Sequence, residues 1–184
     1  MLDQLGRDGV RFTDFYSNGP TCLSTRAGLM SGRYQQRYNI EAPLSAPSGA
    51  EGRGLTAEGQ SLPQLLKTAG YNTALIGKWH LGHEADQSPQ AHGFDYFFGF
   101  KAGYIDYYQH TNSDSALDLW EQDQLVNEEG YMTDLITARS VRYVQEQGDR
   151  PFFLSIQFNA PHWPYQVPGQ PSVAVRNAAH LQPR

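Results

Sequence analysis

Apolar residues recur along the chain with two different periods, and the segments that carry them alternate. Leu62, Leu65, Leu66 and Ala69 fall at helical spacing, with Pro63 in the first turn and Gly70 just past the end, so the pattern predicts a well-punctuated amphipathic helix. A second helix is predicted from about Met132 to Gln147, where Met132, Leu135, Ile136 and Tyr143 share one face. Tyr71 to Ile76 reads as a strand, and Phe152 to Phe158 is a near-continuous apolar run, the pattern of a strand covered on both sides. Nearer the start, Leu2 to Asp8 reads as the end of a helix closed by Asp8-Gly9, and Val10 to Tyr16 as a β-branched and aromatic strand running towards Cys22. Ser24 to Met30 suits a short helix ended by Gly32, with Ser24 and Thr25 available as capping hydroxyls. From about Glu41 to Gly59, Gly, Ala, Ser and Pro dominate without a period, which marks a surface loop.

This alternation of helix and strand predicts an α/β fold with a largely parallel sheet. In such sheets chemistry collects beyond the carboxyl ends of the strands. The length of 184 residues suits one compact unit. Acidic residues exceed basic ones, 19 against 14, and the basic positions are scattered, which argues against nucleic acid as a partner. No apolar run approaches the roughly 18 residues of a membrane span, and the first residues lack the succession of a signal peptide. Cys22 is the one cysteine, so an internal disulfide and a Cys-rich metal site are both excluded. By itself it reads either as a small buried residue or as a nucleophile.

Three segments place reactive side chains where a parallel sheet would use them. In the first, Cys22 to Arg33, a helix starting near Leu23 would set its unpaired N–H groups and positive dipole end beside Cys22, with Arg26 one turn away on the same face. A nucleophile, an anion cradle and a cation then share one turn; the alternative is a core cysteine and a surface arginine. In the second, Gly70 to Gly82, an extended exit from the strand would put Lys78 and His80 on one side and Trp79 on the other. The bland reading there is a surface lysine and a satisfied histidine. In the third, His162 follows an apolar strand and lies between Pro161 and Pro164, a stiff setting that suits either a positioned proton donor or a plain turn. His83, His92, His110 and His180 read as ordinary histidines, and a zinc site through His80 and His83 lacks a third ligand nearby. Tyr104, Tyr107 and Tyr108 could stack on a sugar or pack, and packing is the expectation.

Cys22-Leu23-Ser24-Thr25-Arg26 with Met30, Gly32 and Arg33 resembles the sulfatase signature C-x-P-S-R-x-x-x-L-x-G-R, departing from it at Ser24, where the family has Pro or Ala. Gly70-Tyr71-Asn72-Thr73 through Gly77-Lys78-Trp79-His80 is similar to the second sulfatase signature, G-Y-x-T-x-x-x-G-K-W-H, at every fixed position. Pro151 to Pro164 resembles the family's P-F-F-x-x-x-x-F-x-x-P-H-x-P segment, and His92 to Gly99 and Tyr131 to Leu135 resemble further family segments. All occur in family order across nearly the whole chain.

The resemblance implies a partial alkaline-phosphatase-like sandwich over residues 1–184, an incomplete N-terminal catalytic domain without the first strand and the C-terminal part. It also implies hydrolysis of sulfate monoesters of small molecules or carbohydrates, with Cys22 converted to formylglycine by a formylglycine-generating enzyme. That residue would be both nucleophile and metal ligand. Arg26 and Lys78 would stabilise the anion, His80 would take the proton that triggers sulfate release, and His162 would assist the leaving oxygen. Ca²⁺ is the implied cofactor, with paired aspartates upstream and a later Asp-Asn pair as further ligands outside the chain, so residues 1–184 alone are expected to be poorly active. Family members are periplasmic, secreted or lysosomal. A phosphonate monoester hydrolase or phosphodiesterase of the same superfamily, and a noncatalytic remnant, are the alternatives.

Overall fold

The computed structural model describes residues 1–41 and 53–169. Among them, helices α1 (Leu2–Asp8), α2 (Cys22–Ser31) and α3 (Leu62–Thr68) precede strand β1 (Asn72–Lys78). Strands β2 (Tyr96–Phe100), β3 (Trp120–Glu121) and β4 (Gln124–Leu125), helix α4 (Met132–Gln147) and strand β5 (Phe152–Gln157) follow. The sheet order is β4-β3-β2-β1-β5. β1 runs parallel to both β2 and β5, while β3 and β4 add an antiparallel margin. The predicted α/β class with a mostly parallel sheet flanked by helices is therefore the observed one.

β1 lies between two parallel neighbours, and its alternating side chains feed two separate cores. On one face Leu75, Trp79 and Phe97 pack with Leu23, Ala27 and Met30 from α2. On the other, Ala74, Ile76, Phe98 and Phe100 meet Met132, Ile136 and Tyr143 from α4. Each such side chain contributes about 1.5–3 kcal/mol when fully buried, so the stripe predicted from the spacing of Met132, Ile136 and Tyr143 is what holds α4 to the sheet. α3 forms where its punctuation predicts, with Ser61 and Gln64 in a capping box and Pro at its start. Its predicted apolar stripe is not a buried one: Leu65 and Ala69 are exposed and Pro63 is the buried member.

Two strand expectations need correction. Val10 to Tyr16 is irregular rather than a strand, and Val10, Phe12, Phe15 and Tyr16 are all exposed. β-branched and aromatic content favours a strand only where a neighbour accepts its hydrogen bonds, and no described strand lies beside this segment. β5 forms as predicted but is not covered on both sides: it is the last strand of the described sheet, and Phe152 and Ile156 reach solvent. The expected loop from Glu41 to Gly59 lies partly outside the described residues; within 53–59 the chain is irregular, with Leu55 buried and its N–H bonded to the Leu81 carbonyl.

Candidate active site

Cys22 is the first residue of α2, one position earlier than the sequence pattern suggests. Thr21 is the N-cap: its hydroxyl accepts from the Ser24 N–H, and the Ser24 hydroxyl in turn accepts from the Thr21 N–H at 3.3 Å. The Ser24 hydroxyl also donates to the Thr21 carbonyl at 2.9 Å. Ser24 thus closes a reciprocal capping box rather than acting as the cap itself. That box leaves the positive end of α2 at Cys22, where it favours an anion. Gly32 ends the helix in the left-handed region, as its sequence position predicts.

Lys78 is the final residue of β1, and His80 lies two residues beyond it. The Lys78 Nζ donates to Cys22 Sγ at 3.3 Å, and His80 Nδ1 stands 3.3 Å from the same sulfur. Trp79 points the other way into the core, its indole N–H donating to the Gln87 carbonyl at 2.8 Å. The predicted division of these three side chains holds, but the exit from β1 is not extended. His80 has φ 57°, a left-handed conformation rare for a residue with a side chain, while its N–H bonds the Lys101 carbonyl at 3.2 Å. Lys78 and His80 are 3% and 5% exposed, so neither is the surface residue that composition alone would suggest.

Arg26 completes the group. Its guanidinium donates to the Lys78 carbonyl at 2.9 Å and to the side-chain oxygen of Gln157, the last residue of β5. Both acceptors are neutral, so they orient the fork without cancelling its charge. Burial pulls Arg26 below the ordinary arginine value, and the charge of Cys22 opposes that pull. Burial likewise lowers Lys78, opposed by the charge and hydrogen bond of Cys22 and assisted by the like charge of Arg26. Desolvating two neighbouring cations is unfavourable, and an anion between them relieves it. Gln157 is a site residue that sequence reasoning missed; its one signal is a polar residue at the end of an otherwise apolar strand.

His162 is not in that cluster. Its ring is exposed, with Nδ1 bonded to the Trp163 carbonyl at 2.9 Å and the imidazole stacked on Tyr104 at 5.5 Å between ring centres. The connection to the other residues runs through the chain: Gly103, next to Tyr104, lies so close to His80 that a Cβ there would sit 2.8 Å from the imidazole Nε2. The segment Gly103-Tyr104 thus runs from the His80 ring to the His162 ring. Of the three tyrosines, Tyr107 is buried as the packing expectation has it, and Tyr104 contacts the loop of His162.

The sequence profile of the Sulfatase family matches residues 1–181. The chain belongs to the sulfatase family. It is 35% identical over 179 residues to arylsulfatase J of Mus musculus, a match covering 92% of this chain and 29% of that protein. The solved structure of Ps i-CgsB superposes with a TM-score of 0.80 at 29% identity, over 90% of this chain and 40% of the other. BT4656, solved in complex with its substrate D-glucosamine-2-N,6-O-disulfate, gives a TM-score of 0.71 at 27% identity, covering 90% of this chain and 30% of that one. The chain thus spans less than half the length of these relatives.

Sulfatases use Ca²⁺ and formylglycine, and the two fit these residues differently. An oxygen in place of Cys22 Sγ would have the Lys78 ammonium as a donor and the His80 Nδ1 beside it. A hard cation takes six or more oxygen ligands, whereas the side chains around Cys22 are two cations and an imidazole. Among the described residues no group of three or more His, Cys, Asp or Glu could hold a metal ion, at His80 and His83 or elsewhere. The described residues by themselves do not fit Ca²⁺. No helix among them is long and apolar enough to cross a membrane.

Proposed function

We propose that the chain supplies the nucleophile and anion-binding half of a sulfuric ester hydrolase acting on sulfate monoesters, carbohydrate sulfates included. The observation that carries this reading is the convergence of Lys78 and His80 on Cys22 at the positive end of α2, with Arg26 beside them. Conversion of Cys22 by a formylglycine-generating enzyme would supply a hydrated aldehyde, one hydroxyl for attack on sulfur and a second to release sulfate, which a thiol cannot do. Arg26 and Lys78 then hold the sulfate oxygens by charge already in place before the reaction begins. His80 takes a proton at Nδ1, the nitrogen that faces position 22. His162 serves the leaving oxygen. The matched structure with a sulfated glucosamine supports a carbohydrate sulfate as substrate.

Ca²⁺ would be held by the converted residue 22 together with oxygen ligands beyond the described residues, and would draw charge from the sulfate oxygens. The location that goes with this reading is the periplasm, the outside of the cell or the lysosome, as is general for sulfatases.

The test is coexpression with a formylglycine-generating enzyme, mass analysis of position 22, and assay against 4-nitrophenyl sulfate and phenyl phosphonate monoester. Sulfate release that falls about 1,000-fold or more in Cys22→Ala is the expected result. Preferential cleavage of the phosphonate, or no loss in Cys22→Ala, overturns the reading. Ser24 stands where modifying enzymes read Pro or Ala, so the mass analysis also establishes whether a capping serine is accepted there.

A further inference from the structure

His162 is exposed, and an exposed imidazole on a loop would ordinarily sample several rotamers and both neutral tautomers. Here its backbone is gripped on both sides by the segment 104–107. The Asn159 side-chain amide donates to the Ile105 carbonyl at 3.0 Å, and the Tyr107 hydroxyl donates to the carbonyl of His162 itself at 2.9 Å. Gln166 extends the grip, accepting from the Tyr107 N–H at 2.7 Å and donating to Asp106 at 2.8 Å. The ring is held separately from the backbone. Tyr104 stacks on it with an interplanar angle of 15°, and Trp163 meets Tyr104 edge-on at 5.0 Å.

The remaining ring contact decides the tautomer. The partner of Nδ1 is the Trp163 carbonyl, which can only accept, so Nδ1 carries the proton. Nε2 is then the ring nitrogen open to a substrate.

We propose that Tyr104 is the positioning residue of His162, holding the imidazole so that Nδ1 donates to the Trp163 carbonyl and Nε2 faces the leaving-group oxygen of the sulfate ester. The inference rests on the sulfatase reading for its substrate, though not for its geometry. As the S–O bond to the leaving group breaks, the electron pair stays on that oxygen and the Nε2 proton of the imidazolium moves to it. The product is a neutral imidazole with its proton on Nδ1. That is the tautomer the Trp163 carbonyl selects, so the hydrogen bond at Nδ1 is kept throughout. Stacking on Tyr104 limits rotation of the ring without occupying either nitrogen, and orientation of this kind is worth most when the leaving group is poor.

The test uses the protein with residue 22 converted, as parent, Tyr104→Leu and Tyr104→Phe. Side-chain ¹⁵N spectra of the parent at neutral pH are expected to show His162 protonated at Nδ1, with a mixed tautomer signal in Tyr104→Leu. On an alkyl sulfate such as a sugar sulfate, Tyr104→Leu is expected to lower kcat about 10-fold with KM little changed. On 4-nitrophenyl sulfate, whose leaving group needs no proton, it is expected to change kcat less than about two-fold, and Tyr104→Phe restores both. Equal losses on the two substrates, no loss on either, or a neutral parent ring with its proton on Nε2 instead of Nδ1 overturn the proposal. If the parent hydrolyses no sulfate ester, the functional reading fails on its own, and the ¹⁵N signal of His162 still decides the geometry.

Discussion

Ile76 and Ile156 are register partners on the neighbouring parallel strands β1 and β5, yet Ile76 is 0% exposed and Ile156 45% exposed. Both segments read as strands, and of the two only Phe152 to Phe158 reads as covered on both sides. Their places in the sheet reverse that: β1 has a parallel neighbour on each side and a helix over each face, whereas β5 has β1 on one side and ends the described sheet. The site draws on both. β1 carries Lys78 and His80 out of a packed floor, and both side chains meet Cys22 there. β5 leads to His162, and that loop needs side-chain straps from residues 104–107 to hold it.

The largest effect that tests this contrast is expected at Gly77, the β1 residue paired with Gln157. Gly77 has φ 117°, and a Cβ there would collide with the Gln157 carbonyl. Gly77→Ala is expected to cost at least about 3 kcal/mol, a large share of a typical domain's stability, measured by chemical denaturation. A near-neutral result would mean that β1 and β5 can separate without loss, and the contrast between a packed floor and a strapped edge would not stand.

Next come the paired isoleucines. Ile76→Ala is expected to destabilise by about 3 kcal/mol and Ile156→Ala by less than about 1 kcal/mol. Equal costs would show that the outer residues of β5 are covered in solution.

The smallest effect lies at the opposite margin, where ion pairs add to the apolar contact between the sheet and α4. Arg139 bonds Glu121 of β3 and also Glu128, both at 2.6 Å. Desolvation pushes Glu121 up, but the hydrogen bonds and charge of Arg139, with Tyr96 and Arg142, outweigh it and hold the carboxyl below its ordinary 4.5. A depressed acid stabilises the fold above its unfolded value and loses that contribution as the pH falls through the folded one. Glu121→Gln is therefore expected to cost about 1 kcal/mol or less at pH 7 and to flatten the stability profile below about pH 4.5. An unchanged slope in denaturation curves across that range would remove the ion pair from the account.

The sequence by itself determined the α/β class, the helix from Met132 to Gln147, the limits of α3 at Pro63 and Gly70, and the identities of Cys22, Arg26, Lys78, His80 and His162 as candidates. These follow from local rules: spacing sets which side chains share a face, Pro and Gly set where helices start and stop, and contiguous motifs keep their order. Only the tertiary structure decided that Val10 to Tyr16 has no strand partner among the described residues, that β5 is half exposed, that Gln157 holds Arg26 and that Tyr104 stacks on His162. Each of those depends on which distant segment lies alongside. Arg26 and Gln157 are brought together by strand order across the sheet, and no period or spacing within either segment encodes that contact.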